Sequence, residues 1–124
     1  MTANVARVLI VEDDDDLRRV IGSAVTDAGY AAVEAADGVA ALRACEERDP
    51  DVVLLDLNMP HLGGQAFAEA YRRGRGRAKI IVMSGTEKGG ENSARIRAAV
   101  FLSKPFDTEK LLGAVRRVLE SATA

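Results

Sequence analysis

The sequence predicts an α/β domain built on a single doubly wound, five-stranded parallel sheet with five helices. Two observations carry the prediction. Short runs of aliphatic, often β-branched residues alternate five times with stretches whose apolar residues recur at helical spacing. The runs are also almost wholly apolar, the pattern of strands buried on both faces rather than one. Five β-then-α units joined by right-handed crossovers leave few topologies other than a parallel sheet covered on both sides.

Val8-Leu9-Ile10-Val11 is the first strand. Asp14 to Asp16 then open a helix, where carboxylates cap free N–H groups and suit the dipole. Its apolar positions are Leu17, Val20, Ile21, Ala24, Val25 and Ala28, and Gly29 stops it. Ala31 to Glu34 is a weaker second strand. Asp37-Gly38 opens a second helix through Val39, Leu42 and Cys45, closed before Pro50. Val52 to Leu55 is the third strand and ends at Asp56. After Pro60 and Gly63-Gly64 a third helix runs through Phe67, Ala70 and Tyr71. Lys79 to Met83 is the fourth strand, ending at Ser84-Gly85. A helix with a thin apolar face is expected at about Glu91 to Ala98. Val100 to Ser103 is the fifth strand, and Asp107 caps a last helix with Leu111, Leu112, Val115, Val118 and Leu119 on one face.

The 124 residues suit one domain, 1–124. With a net charge of −2 the chain lacks the basic excess of a nucleic-acid binder. No apolar run approaches the ~20 residues of a membrane span, and Met1-Thr2-Ala3-Asn4 lacks the basic start of a secretory signal. Cys45 is the only cysteine, so no internal disulfide can form, and a reducing cytoplasmic location is expected. Thiolate metal sites are excluded and His61 is the only imidazole, so any metal is held by oxygen, which suits Mg²⁺ or Mn²⁺. The last helix is expected to end near Ser121, leaving no output domain in this stretch.

In an open parallel sheet the functional site lies beyond the carboxyl ends of the strands. Those ends carry Glu12-Asp13, Asp56, Ser84 and Lys104-Pro105. Each alone has an ordinary explanation as a cap, turn or solvated loop residue. Together they bring three acids, a hydroxyl and an amine to one edge from four strands. Three neighbouring carboxylates resist joint ionisation, and a divalent cation removes the conflict. A carboxylate can serve as nucleophile toward phosphorus, giving an aspartyl phosphate. Lys104 would offer a point charge and Ser84 a hydroxyl hydrogen bond to phosphate oxygens.

The segments Val8 to Asp14, Val52 to Pro60, Met83-Ser84-Gly85 and Phe101 to Phe106 resemble the receiver domains of two-component response regulators, and the resemblance runs from about Ala6 to Leu119. It implies the flavodoxin-like strand order 2-1-3-4-5, an order the chemotaxis receiver is known to exemplify. Asp56 would be the phosphoacceptor, and Asp13 and Asp56 would bind Mg²⁺, with Glu12 acting mostly through water and the backbone carbonyl of Asn58 as a further ligand. Ser84 and Lys104 would contact the phosphoryl group, and Lys104-Pro105 would be a cis peptide. Ser84 and Phe101 would be the switch residues. The phosphodonor would be a histidine kinase or histidine phosphotransfer protein, and the output a changed surface for a downstream effector. The chain would be a switch rather than an enzyme. Phe101 lacks the hydroxyl of the Tyr often found there, and Ala99-Val100 replaces the usual Gly-Ala pair.

Two other functional classes fit the sequence less well. A haloacid-dehalogenase-type phosphatase needs a second acid two residues after the nucleophile, where this chain has Asn58. A flavodoxin-like cofactor binder needs a phosphate-cradling loop after the first strand, where this chain has acids that repel phosphate. Cys45 is placed on a buried helix face, His61 in an exposed loop, and Gly89-Gly90 in a flexible one. The basic run Arg72, Arg73, Arg75, Arg77 and Lys79 reads as a solvated helix end.

Overall fold

A computed structural model gives the chain's architecture and describes residues 5–57, 59, 63–74, 76–85 and 97–122. Five strands, β1 (Arg7–Val11), β2 (Ala31–Ala35), β3 (Val52–Asp56), β4 (Lys79–Ser84) and β5 (Val100–Ser103), form one sheet. All neighbours are parallel and the order is β2-β1-β3-β4-β5. The helices among the described residues are α1 (Asp15–Asp27), α2 (Gly38–Glu47), α3 (Gly64–Arg73) and α4 (Thr108–Ala122). Of the helix expected at about Glu91 to Ala98, residues 91–96 lie outside the described residues. Arg97, at φ 56°, and Ala98 are not helical.

Side chains alternate across the sheet and divide the core in two. Leu9, Val11, Val53, Leu55, Ile80 and Val82 pack with Ala41 of α2 and with Phe67, Ala68 and Tyr71 of α3. Val8, Ile10, Val52, Leu54, Ile81, Met83 and Leu102 pack with Ile21 and Val25 of α1 and with Leu111, Val115 and Val118 of α4. Both faces of β1, β3 and β4 are therefore covered, which is why these strands carry no polar residue between their first and last positions. Among the described residues no helix is long and apolar enough to cross a membrane.

Local signals set the helix ends. The Asp14 carboxylate accepts from Leu17 N at 3.0 Å and the Asp37 carboxylate from Ala40 N at 2.8 Å. Asp107 does the same for Lys110 N at 2.8 Å. Gly29, at φ 98°, makes the left-handed turn after α1 that a side chain would resist. Two expected core positions face solvent instead: Val20 of α1 is 54% exposed and Val39 of α2 is 47% exposed. Each sits one residue, about 100° of rotation, from the row its helix buries. Ala28 lies beyond α1 and is exposed, and Cys45 is only partly buried.

Candidate functional site

The register determines which residues meet at the carboxyl edge. Val11 pairs with Leu55, so Glu12 and Asp56, each one residue further, emerge level from adjacent central strands. Ser84 pairs with Ser103, which delivers Lys104 beside it from β5. Backbone bonds fasten the corners: Glu12 N donates to Ala35 O at 3.1 Å and Lys104 N to Ser84 O at 2.9 Å. The Lys104-Pro105 peptide is cis, as the sequence resemblance implies.

Glu12, Asp13 and Asp56 present carboxylate oxygens within 4.8 Å of one another. Glu12, Asp56 and Ser84 are buried, whereas Asp13 is exposed and forms the open side of the cluster. Lys104 Nζ donates to Glu12 Oε1 at 2.7 Å and lies 3.7 Å from Asp56 Oδ2. The other Glu12 oxygen accepts from Asp14 N at 3.2 Å, and its backbone carbonyl accepts from Arg18 Nη1 at 2.9 Å. Glu12 is thus held at its amide, its carbonyl and both carboxylate oxygens.

Burial pushes the Glu12 carboxyl up to about 7; the Lys104 hydrogen bond opposes this, and neighbouring Asp56 adds to it. For Lys104, burial would lower the ammonium's pKa. The Glu12 hydrogen bond and the charges of Asp56, Glu12 and Asp13 together outweigh that, so it is held above its ordinary value. Partly desolvated acids with one shared ammonium remain short of positive charge. An all-oxygen set whose atoms come this close suits a small hard cation with Mg–O distances of about 2.0–2.1 Å, so the residues present fit Mg²⁺ or Mn²⁺.

The structure brings together Glu12, Asp13, Asp56, Ser84 and Lys104, as the strand ends imply. Phe101 stands apart on the outer strand, 36% exposed. Asn58, whose carbonyl is the remaining expected ligand, lies outside the described residues, as do Pro60, His61 and Gly89-Gly90. Strand-end reasoning misses two residues, Arg18 and Glu34. Arg18 alone carries a signal, a basic residue in the first turn of a helix, where the dipole disfavours it; Glu34 carries none.

The family model for the response regulator receiver domain matches residues 8–116. The chain is 35% identical to the protein-glutamate methylesterase/protein-glutamine glutaminase of Treponema pallidum and 32% identical to the transcriptional regulatory protein PrrA of Mycobacterium tuberculosis. These matches cover 94% and 91% of the chain but only 31% and 49% of the two relatives' lengths. The solved chemotaxis protein CheY4 of Vibrio cholerae superposes with a TM-score of 0.87 at 32% identity, covering 94% of this chain and all of that one. The strand order and the acids and lysine gathered at its carboxyl edge agree with a family match over most of the sequence, and the chain belongs to the response regulator receiver domain family of two-component systems.

Proposed function

We propose that this chain is a phosphorylation switch in which Asp56 accepts a phosphoryl group from a phosphohistidine on a histidine kinase or histidine phosphotransfer protein. One observation carries the reading: Asp56 ends a central strand within reach of two further carboxylates and an ammonium. An Asp56 carboxylate oxygen bonds to phosphorus as the phosphorus–nitrogen bond of the donor breaks, and the imidazole leaves with its electron pair and takes up a proton. Glu12, Asp13 and Asp56 would hold a divalent cation, whose charge offsets that of the phosphoryl oxygens. Lys104 exchanges part of its hold on Glu12 for a phosphoryl oxygen, and the Ser84 hydroxyl donates a hydrogen bond to another. Burial around Asp56 excludes bulk water from the acyl phosphate.

The switch follows from these contacts. A phosphoryl group adds close to two negative charges and draws Ser84 and Lys104 toward it. Phe101 lies on β5 between those changes and solvent, and its ring reports them by moving inward. Lacking a hydroxyl, it works by packing alone. The donor and the effector are proteins, and a cytoplasmic setting suits the single free thiol.

Beryllofluoride, which mimics a phosphoryl group on a carboxylate, tests this by amide spectra. Mg²⁺-dependent shifts at Ser84, Phe101 and Lys104 that vanish in Asp56→Asn are expected. Identical spectra with and without beryllofluoride in the folded protein would contradict the reading.

A further inference from the structure

Two residues of α1 break the local preferences of a helix, and one chain of contacts accounts for both. Arg18 places a cation in the first turn, against the dipole. Gly22, one turn on, is a glycine inside a helix, where alanine is the better residue. Such departures are expected where function constrains a sequence.

The Arg18 side chain turns back toward the start of the helix, the direction helical side chains take, and is 13% exposed. Nη1 donates to the Glu12 carbonyl at 2.9 Å, Nη2 donates to Asp15 Oδ1 at 2.6 Å, and Nε lies 3.4 Å from Glu34 Oε1 on the edge strand β2. Gly22 explains how Glu34 reaches that position. A Cβ on Gly22 would sit 2.8 Å from Glu34 Oε2, so the Glu34 carboxylate crowds the very space a methyl group would need. The carbonyl that Arg18 holds belongs to the peptide joining Glu12 to Asp13, two of the three clustered acids. Rotation of that one peptide would redirect both.

We propose that Glu34 and Arg18 form a positioning device for the metal-binding acids: Gly22 admits Glu34, Glu34 fixes Arg18, and Arg18 locks the Glu12–Asp13 peptide with both carboxylates aimed toward Asp56. The inference rests on the metal-site reading and adds residues that touch neither metal nor phosphoryl group.

Mn²⁺ titration of the whole chain, read from the magnetic-resonance signal of free Mn²⁺ beside thermal unfolding, tests it. Arg18→Met removes a positive charge, so electrostatics alone would tighten cation binding. Positioning instead predicts weakening on the order of 10-fold, the effect typical of groups that orient metal ligands. Arg18→Lys keeps the charge but cannot serve three partners, and falls between. Gly22→Ala changes no charge and favours the helix; it weakens binding through the collision with Glu34 and has no added effect on Glu34→Ala. Should Arg18→Met fail to fold, Gly22→Ala carries the test. Tighter binding in Arg18→Met, or wild-type affinity in a folded Gly22→Ala, overturns the inference alone. A wild type that takes up no Mn²⁺ overturns the metal-site reading and this inference with it.

Discussion

Lys104 Nζ lies 2.7 Å from Glu12 Oε1 and 3.7 Å from Asp56 Oδ2, so one ammonium serves two buried carboxylates on adjacent strands. Its removal leaves both acids short of compensation. Lys104→Met is expected to lower stability in urea by about 1–3 kcal/mol, the cost of a buried polar group left unmatched. Mg²⁺ should then stabilise the variant more than the wild type, since a ligand that binds the native state raises its stability. Equal stability and equal response to Mg²⁺ in the two proteins would show that the bridge carries no energy.

Gly64 ties α3 to the strand that ends in Asp56. A Cβ there would run into the carbonyl oxygen of Asp56 and stand 2.8 Å from Leu57 Cα. Both neighbours are backbone and cannot swing aside. Gly64→Ala is expected to cost about 1–3 kcal/mol, the usual range for overpacking, and to slow phosphorylation because the strain falls on Asp56. Denaturant unfolding and single-turnover labelling measure the two effects. A fully stable variant with wild-type labelling would contradict the packing.

Tyr71 makes a contrasting prediction at the opposite edge of the sheet. Its hydroxyl accepts from Ala78 N at 2.8 Å and donates to Asp49 Oδ1 at 2.8 Å. Tyr71→Phe strands a buried N–H, so a loss of about 1–3 kcal/mol is expected. Cation affinity and phosphorylation should not change, since the strand amino ends lie away from the acids. A phosphorylation defect in this variant would mean that the two edges are coupled.

Cys45 gives a pH dependence. Burial first, then the charge of Asp49, push its thiol from 9.0 up to about 11. The folded value lies above the unfolded one, so the protonated thiol favours the folded state below pH 9. That contribution is lost as pH rises from about 9 to about 11. At pH 8 alkylation by iodoacetamide should be about 10-fold slower in the native protein than in urea, because the thiolate fraction falls further than the greater nucleophilicity of a higher-pKa thiolate restores. Equal rates would contradict the shift.

The site is legible in the sequence because a parallel sheet delivers strand ends to one edge. Glu12, Asp56, Ser84 and Lys104 each stand at the end of a short strand run, and no packing detail is needed to assemble them. The Glu34–Arg18 contact is not legible this way. It joins an edge strand to a helix through a vacancy at Gly22, and a missing Cβ leaves no mark in a periodicity pattern. Val20 and Val39 show the same limit from the other side. Apolar identity places both near a helix's buried row, but Ile21 and Ala41 take the buried places and the two valines turn to solvent. The order of the strands is implied only by likeness to a family, since strand composition does not distinguish a centre strand from its neighbour.

Phosphorylation of Asp56 with the help of a divalent cation underlies the proposed function. Intact mass after incubation with acetyl phosphate and Mg²⁺ tests it most directly, beside a metal-free sample and Asp56→Asn. One phosphoryl adduct is expected in the first sample and none in the other two. An adduct of equal yield in Asp56→Asn, or no adduct in a wild type that also fails to respond to beryllofluoride, would contradict it.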